Sequence, residues 1–286
     1  MNETLKGKKI MVWTFMGNTR MYEALRDYGD RISQIGLFSF KVRATGEIYE
    51  SGVSIADGST MKNYINKWPH ITWLLTIAND GSSSVFAALR DNTGGAQDKF
   101  LTEIVRIMEK YPWCSGIDID LERGGDYSTA DISTAMFRNI YNAVKAYDPS
   151  KMMNICLPGM TSVNGSVGGE NWCVYGDLDR YCDTASIMTY GMAWAGSAPG
   201  PVSPRSWLEG VYDYAVRVMH PEKVFLGMPA YGWNWQIYDK PENLGNSYRG
   251  TSNTYYAAKL WMTGGYNFTD DGPPQPMIPI VAYWDD

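Results

Sequence analysis

Ser115-Gly-Ile-Asp-Ile-Asp-Leu-Glu122 is the stretch that decides the fold. Asp118, Asp120 and Glu122 alternate with Ile117, Ile119 and Leu121. On a strand alternate residues share a face, so the carboxyls point one way, each about 6.6 Å from the next. The aliphatic set faces the other way and needs helices to pack against, while the acids point to the enclosed side of the sheet. Such a strand suits a closed parallel barrel, with its acids directed toward the C-terminal mouth.

The rest of the chain agrees. Apolar runs of strand length recur at 9–15, 32–41, 71–78, 115–121, 152–157, 185–190, 224–230 and 278–283. Between them lie segments with apolar residues at three- and four-residue spacing, among them 60–67, 97–110, 134–146 and 206–218, which predict helices. Alternating strands and helices imply a parallel sheet. Eight strands close a (β/α)8 TIM barrel; a doubly wound open sheet is the alternative, and it gives no reason for eight. Stretches rich in Gly, Ser and Asn at 79–84, 159–170, 191–204 and 232–250 follow strand ends, where a barrel carries its active-face loops. The insertion between the seventh and eighth runs is short. No repeat or linker divides the chain, so residues 1–286 are expected to form a single catalytic domain, and with Asp286 so soon after the eighth run the last helix is missing from that barrel.

Composition narrows the partners. The net charge of −6, without a Lys/Arg stripe, argues against nucleic acid. No apolar run approaches the roughly 20 residues of a membrane span. A neutral ligand fits better, and 11 Trp and 20 Tyr supply flat apolar faces with polar edges that suit sugars, although many such rings are expected in the core. Cys114, Cys156, Cys173 and Cys182 lack metal-site or C-x-x-C spacing, so neither a metal nor a cofactor is expected; only Cys173 and Cys182 are candidates for a disulfide. His70 and His220 both precede strand candidates, at the barrel's bottom, which sets aside Ser-His-Asp and Cys-His chemistry. The start shows no signal peptide, and the Asn-x-Ser/Thr sites at Asn2, Asn164 and Asn267 are too common a pattern to fix a compartment.

Three acids stacked on an inward face resist full ionisation, because desolvation and mutual repulsion both oppose it. The cluster is expected to hold a proton. A carboxyl of this kind can protonate a glycosidic oxygen near neutral pH, and Glu122, the longest and nearest the mouth, is best placed to do so. A solvated edge strand would need Lys or Arg partners and a less apolar opposite face. A carboxylate site for Mg²⁺ or Ca²⁺ is the other alternative.

This strand resembles that of family 18 of the glycoside hydrolases, the chitinase family, whose fourth strand carries Asp-Gly-x-Asp-x-Asp-x-Glu. Met188-Thr-Tyr-Gly191 is similar to the family's Met-x-Tyr-Asp, Leu226-Gly-Met-Pro-Ala-Tyr-Gly-Trp233 to its seventh-strand Gly-x-Pro-x-Tyr-Gly, and Val281-Ala-Tyr-Trp-Asp-Asp286 to its eighth-strand ending. The resemblance implies a retaining enzyme that cuts β-1,4 bonds next to N-acetylglucosamine, in chitin or peptidoglycan, by substrate-assisted catalysis, in which the acetamido oxygen attacks its own anomeric carbon. By position it implies that Glu122 is the acid, that Asp120 orients the acetamido group, that Asp118 tunes Asp120 and that Tyr190 hydrogen-bonds the acetamido oxygen. Trp284 would floor the pocket; Met188, Tyr231, Trp233, Trp194 and Asn79 would contact sugar. Leu74-Leu-Thr-Ile-Ala-Asn79 looks more like the branch acting on bacterial cell walls or spore peptidoglycan. Ser115 and Gly191 depart from the motifs. A lectin-like binding module, or a part of a phage-tail or cell-wall assembly, are the other functions the resemblance leaves open.

Overall fold

A computed structural model describes residues 9–15, 19–51, 58–165, 170–235 and 250–254. Seven strands run parallel: β1 (Met11–Thr14), β2 (Gln34–Val42), β4 (Thr72–Ala78), β5 (Gly116–Asp120), β6 (Met152–Pro158), β7 (Thr184–Met188) and β8 (Val224–Leu226), hydrogen-bonded in that order. A short β3 (Ile48–Glu50) folds back antiparallel on β2. Each of the seven falls within or within one residue of an expected run. The eighth run, 278–283, lies outside the described residues.

Side chains inside the sheet show that it is curled into a barrel wall. Gln34 on β2 reaches Thr184 on β7, Nε2 to Oγ1 3.3 Å. A flat sheet would hold those strands about 19 Å apart, four spacings of about 4.8 Å. On β1, Met11 Sδ lies 3.3 Å from Ser186 Oγ of β7. These crossings close the structure into a (β/α)8 TIM-barrel-like fold.

The helices cover the outside: α1 (Thr19–Tyr28), α2 (Gly58–Lys67), α3 (Ser83–Arg90), α4 (Ala96–Lys110), α5 (Ala130–Tyr147), the single turn α6 (Tyr175–Leu178) and α7 (Arg205–Val218). Their apolar stripes meet the outward aliphatic residues of the strands. Phe100, Ile104, Ile107 and Met108 of α4 and Met136, Phe137, Ile140 and Val144 of α5 are buried with Ile117, Ile119 and Leu121. Trp172 stacks on Phe137 (5.3 Å between centroids) and tilts against Phe86 (5.0 Å). Among the described helices none is long and apolar enough to cross a membrane.

Three expectations change. The 79–84 stretch is not all loop: Ser82 caps α3, its hydroxyl accepting the Val85 N–H at 3.4 Å, an N-cap signal that the sequence carries. The 232–250 stretch is paired at both ends. Tyr231–Trp235 (β9) and Gly250–Thr254 (β10) form an antiparallel ribbon, as the aromatic alternation of Tyr231-Gly-Trp-Asn-Trp235 favours. Cys173 and Cys182 do not pair; all four cysteines are buried free thiols.

Gly116 begins the acidic strand where the backbones of β5 and β6 nearly touch. A Cβ built there would lie 1.9 Å from the Met152 carbonyl oxygen. Ser115, one residue earlier, takes up the local backbone: its hydroxyl accepts the Trp73 N–H at 3.0 Å. Overpacking of this kind cannot relax into a flexible side chain, so Gly116→Ala is expected to lower the unfolding free energy by about 3 kcal/mol. Chemical denaturation of both proteins measures it; a loss within about 0.5 kcal/mol would show that the strands can part freely.

Candidate active site

The acidic strand places its carboxyls as its alternation predicts, in three different environments. Asp118, deepest, is fully buried. Its Oδ2 accepts Trp13 Nε1–H of β1 at 2.8 Å and Thr76 Oγ1–H of β4 at 2.7 Å. Its Oδ1 accepts Asn154 Nδ2–H of β6 at 2.7 Å and lies 3.5 Å from the Cys156 thiol. Asn154 in turn accepts hydroxyls of Thr184 (2.8 Å) and Ser186 (3.2 Å) on β7. Burial pushes the Asp118 carboxyl up, and the four donors pull it back. Oxygens already occupied by N–H and O–H donors are poor ligands for a hard cation. Among the described residues no group of three His, Cys, Asp or Glu is gathered to hold a metal.

Asp120 stands one step nearer the mouth and is 8% exposed. Burial, then the charges of Glu122 and Asp118, push its carboxyl well above the ordinary range. Glu122 follows the strand and is half-buried; burial raises its carboxyl too, against a lowering by the nearby Arg123 guanidinium. The three acids thus sit on one inward line, and the outer two disfavour each other's ionisation.

Tyr190, two residues past β7, is half-buried above them. Burial foremost, then Cys156, Asp120 and Glu122, pushes its phenol up, so the hydroxyl stays protonated and able to donate. Its ring meets that of Tyr231 edge-on at 6.3 Å, and Tyr231 meets Trp233 likewise at 6.3 Å. Tyr231 is half-buried, its phenol raised by burial and by the charge of Glu122. β7 and β8 are tied just below Tyr190 by Thr189 Oγ1 donating to the Gly227 carbonyl at 2.6 Å. The structure therefore brings Asp118, Asp120, Glu122, Tyr190 and Tyr231 together around the second half of β5 and the residue that follows it.

Met188 ends β7 in register with Pro158 and is half-buried. Trp194 stands out on the following loop, 57% exposed, in a turn whose Ser197 Oγ accepts its N–H at 2.9 Å. Gly191 faces open space, with no atom within 4 Å of where a Cβ would be. Trp284 lies outside the described residues. Asn79 is placed differently from the expectation of a sugar contact. It is buried, its Oδ1 accepting the Glu122 N–H at 2.9 Å and its Nδ2 donating to the carbonyls of Glu122 (2.8 Å) and Ser82 (2.9 Å). The side chain grips the acid's backbone.

His70 and His220 are at the bottom, as expected: His70 Nε2 is 3.1 Å from the Gly29 carbonyl, and His220 Nδ1 is 2.5 Å from Asp179 Oδ2. Sequence reasoning missed Trp13, Thr76, Asn154 and Cys156 around Asp118. The signal was present, since Thr76 and Asn154 are polar residues set inside apolar strand runs.

The sequence profile described as "Glycosyl hydrolases family 18" matches residues 32–270. The chain belongs to family 18 of the glycosyl hydrolases. This family 18 chain is 28% identical over 228 residues to a cortical fragment-lytic enzyme of Bacillus anthracis, covering 78% of the chain and 50% of that protein. It is 22% identical over 226 residues to the uncharacterized glycosylase YvbX of Bacillus subtilis, covering 78% of the chain and 63% of the relative. Thus it spans about half to two thirds of the length of these relatives. The crystal structure of a chitinase from Chromobacterium violaceum superposes with a TM-score of 0.73 at 20% identity, covering 89% of this chain and 76% of that one.

A carboxyl with a raised folded pKa binds more protons than in the unfolded chain. Its contribution to stability is therefore present below the unfolded pKa and lost as pH rises through the folded one. Asp120→Asn removes that liability, so the variant's denaturation midpoint should exceed the parent's by more at about pH 8 than at about pH 5. A gap that does not change with pH would mean that Asp120 ionises as readily folded as unfolded.

Proposed function

We propose that this family 18 chain is a catalytic domain, a retaining glycoside hydrolase that cuts β-1,4 bonds next to N-acetylglucosamine in chitin or peptidoglycan by substrate-assisted catalysis. The observation that carries it is the graded line of acids: a carboxyl locked by donors at the bottom, a strongly raised one above it, and Glu122 at the mouth. Glu122, whose carboxyl burial shifts toward the protonated form, gives its proton to the glycosidic oxygen as the bond to the anomeric carbon breaks. The acetamido oxygen of the same sugar closes on that carbon, and Asp120 holds the acetamido N–H as positive charge develops. Asp118 sets the orientation of Asp120 from below. Tyr190 donates its hydroxyl hydrogen to the acetamido oxygen, which places that oxygen for attack. Glu122, now ionised, takes a proton from the water that opens the ring and restores the sugar with its configuration retained.

Tyr231 and Trp233 offer an edge-joined aromatic wall beside the acid, Met188 lines the pocket from β7 and Trp194 meets sugar further out. Trp284 is proposed as the floor. The chitinase and the cortical fragment-lytic enzyme among the similar proteins support a carbohydrate polymer as substrate.

The deciding experiment is product release from chitin oligomers and from peptidoglycan, followed by mass spectrometry. Cleavage by the parent should fall by about 10²- to 10⁴-fold in Glu122→Gln, the usual size of a lost general acid. Sugar binding without cleavage by the parent would favour the lectin-like reading instead.

A further inference from the structure

The ladder between β4 and β5 stops two residues short of Glu122. Its last paired residues are Ala78 and Asp120. One long backbone bond follows, from the Asn79 N–H to the Asp120 carbonyl at 3.4 Å. Both chains then turn: Asp80 is left-handed at φ 52° and Arg123 at φ 59°. Residues with a Cβ hold that conformation only where their surroundings impose it. Asp80 is tied through its carboxylate to Lys41 Nζ at 2.6 Å, at the end of β2. Glu122 thus lies between the end of a ladder and a forced bend, and the N–H and carbonyl of its main chain need partners from elsewhere.

Asn79 provides both. Its Oδ1 accepts the Glu122 N–H at 2.9 Å, and its Nδ2 donates to the Glu122 carbonyl at 2.8 Å. The amide's orientation follows, since an N–H can only donate and a carbonyl only accept. A side-chain amide carries the donor and acceptor of a peptide group on one planar unit, so here it replaces the rung that β4 no longer supplies. Its second hydrogen goes to the carbonyl of Ser82, the N-cap of α3, at 2.9 Å. With Asn79 only 3% exposed and both hydrogens engaged, the amide is used up within the protein. From the last turn of α3, Arg90 Nη1 donates to the Gly124 carbonyl at 3.3 Å. Gly124 itself lies against an indole, where a Cβ would meet Trp172 Cγ at 2.4 Å. The main chain from Glu122 to Gly124 is therefore fastened at both ends to the segment that carries α3.

We propose that Asn79 is a positioning residue for Glu122: its amide stands in for one rung of the sheet and fixes the main chain from which the acid projects. For its effect on turnover the proposal rests on the glycosidase reading above; the contact does not. A shift of about 1 Å at a reacting group can cost about a hundredfold in rate, and the amide acts on the backbone that sets where the carboxyl begins. An ionised Asp at this position would accept the N–H but turn an oxygen toward two carbonyls, and Ala would leave all three groups unmet.

The test uses Asn79→Ala and Asn79→Asp in the whole chain. A through-hydrogen-bond NMR coupling between the Glu122 amide nitrogen and the Asn79 side-chain carbonyl carbon needs no substrate and should be present in the parent. Amide exchange at Glu122 should quicken at least about tenfold in Asn79→Ala. On whichever polymer the parent cleaves, kcat should fall about ten- to a hundredfold in both variants with KM within about twofold. No coupling in the parent, or a kcat within about twofold of the parent in both variants, would overturn the proposal. So would a loss carried by KM with kcat unchanged, which would make Asn79 a sugar contact. A parent without hydrolysis defeats the glycosidase reading alone, since coupling and exchange still decide the contact. Should Asn79→Ala fail to fold, Asn79→Asp, of nearly the same shape, carries the kinetic test and the parent's coupling decides the rest.

Discussion

The burial of Asp118 is the constraint on which the rest of the barrel turns. A carboxyl taken wholly out of water must be met by donors or left neutral. Here the donors come from β1, β4 and β6, so the same group that starts the acidic line also ties three strands across the interior. Asn154 passes the connection to β7 through Thr184 and Ser186, and Gln34 returns it to β2. The interior is thus a connected polar layer between apolar outer contacts, and one set of hydrogen bonds fixes both the curvature of the wall and the footing of the acidic strand.

From that footing the environment changes stepwise toward the mouth. Donors are plentiful at Asp118, scarce at Asp120, and replaced by a partly solvated setting at Glu122. The protein tolerates a crowded pair of carboxyls at the top because the bottom one is satisfied. At Asp120 and Glu122 burial works against the charged form, the kind of perturbation that clusters at functional sites.

Much of this was legible in the sequence because period-two alternation is local. Asp118-Ile-Asp-Leu-Glu122 states on its own which side chains share a face, and the aliphatic partners state which face meets helices. The seven described strands follow from the recurrence of apolar runs, whereas Tyr190 and Tyr231 were marked by the resemblance of their segments to the family's motifs. What escaped was decided by distant chain segments. Asn79 has the composition of a surface loop residue, and only the neighbouring strand end turns it inward. The ribbon of β9 and β10 was hidden by its Gly and Asn content, although its aromatic alternation was there to read.

Asp80 and Arg123, left-handed at φ 52° and φ 59° at neighbouring strand ends, have a consequence for how the cleft can diversify. Each stands directly after one member of the pair Asn79 and Glu122, whose side chain and backbone are hydrogen-bonded to each other. The short segment from Gly125 to the start of α5 therefore leaves the acidic strand through a bend of its own: its length and composition can drift, reshaping the rim, while Asn79 keeps hold of the Glu122 backbone. Innovation at the periphery and conservatism at the centre are separated by a single bend in the backbone.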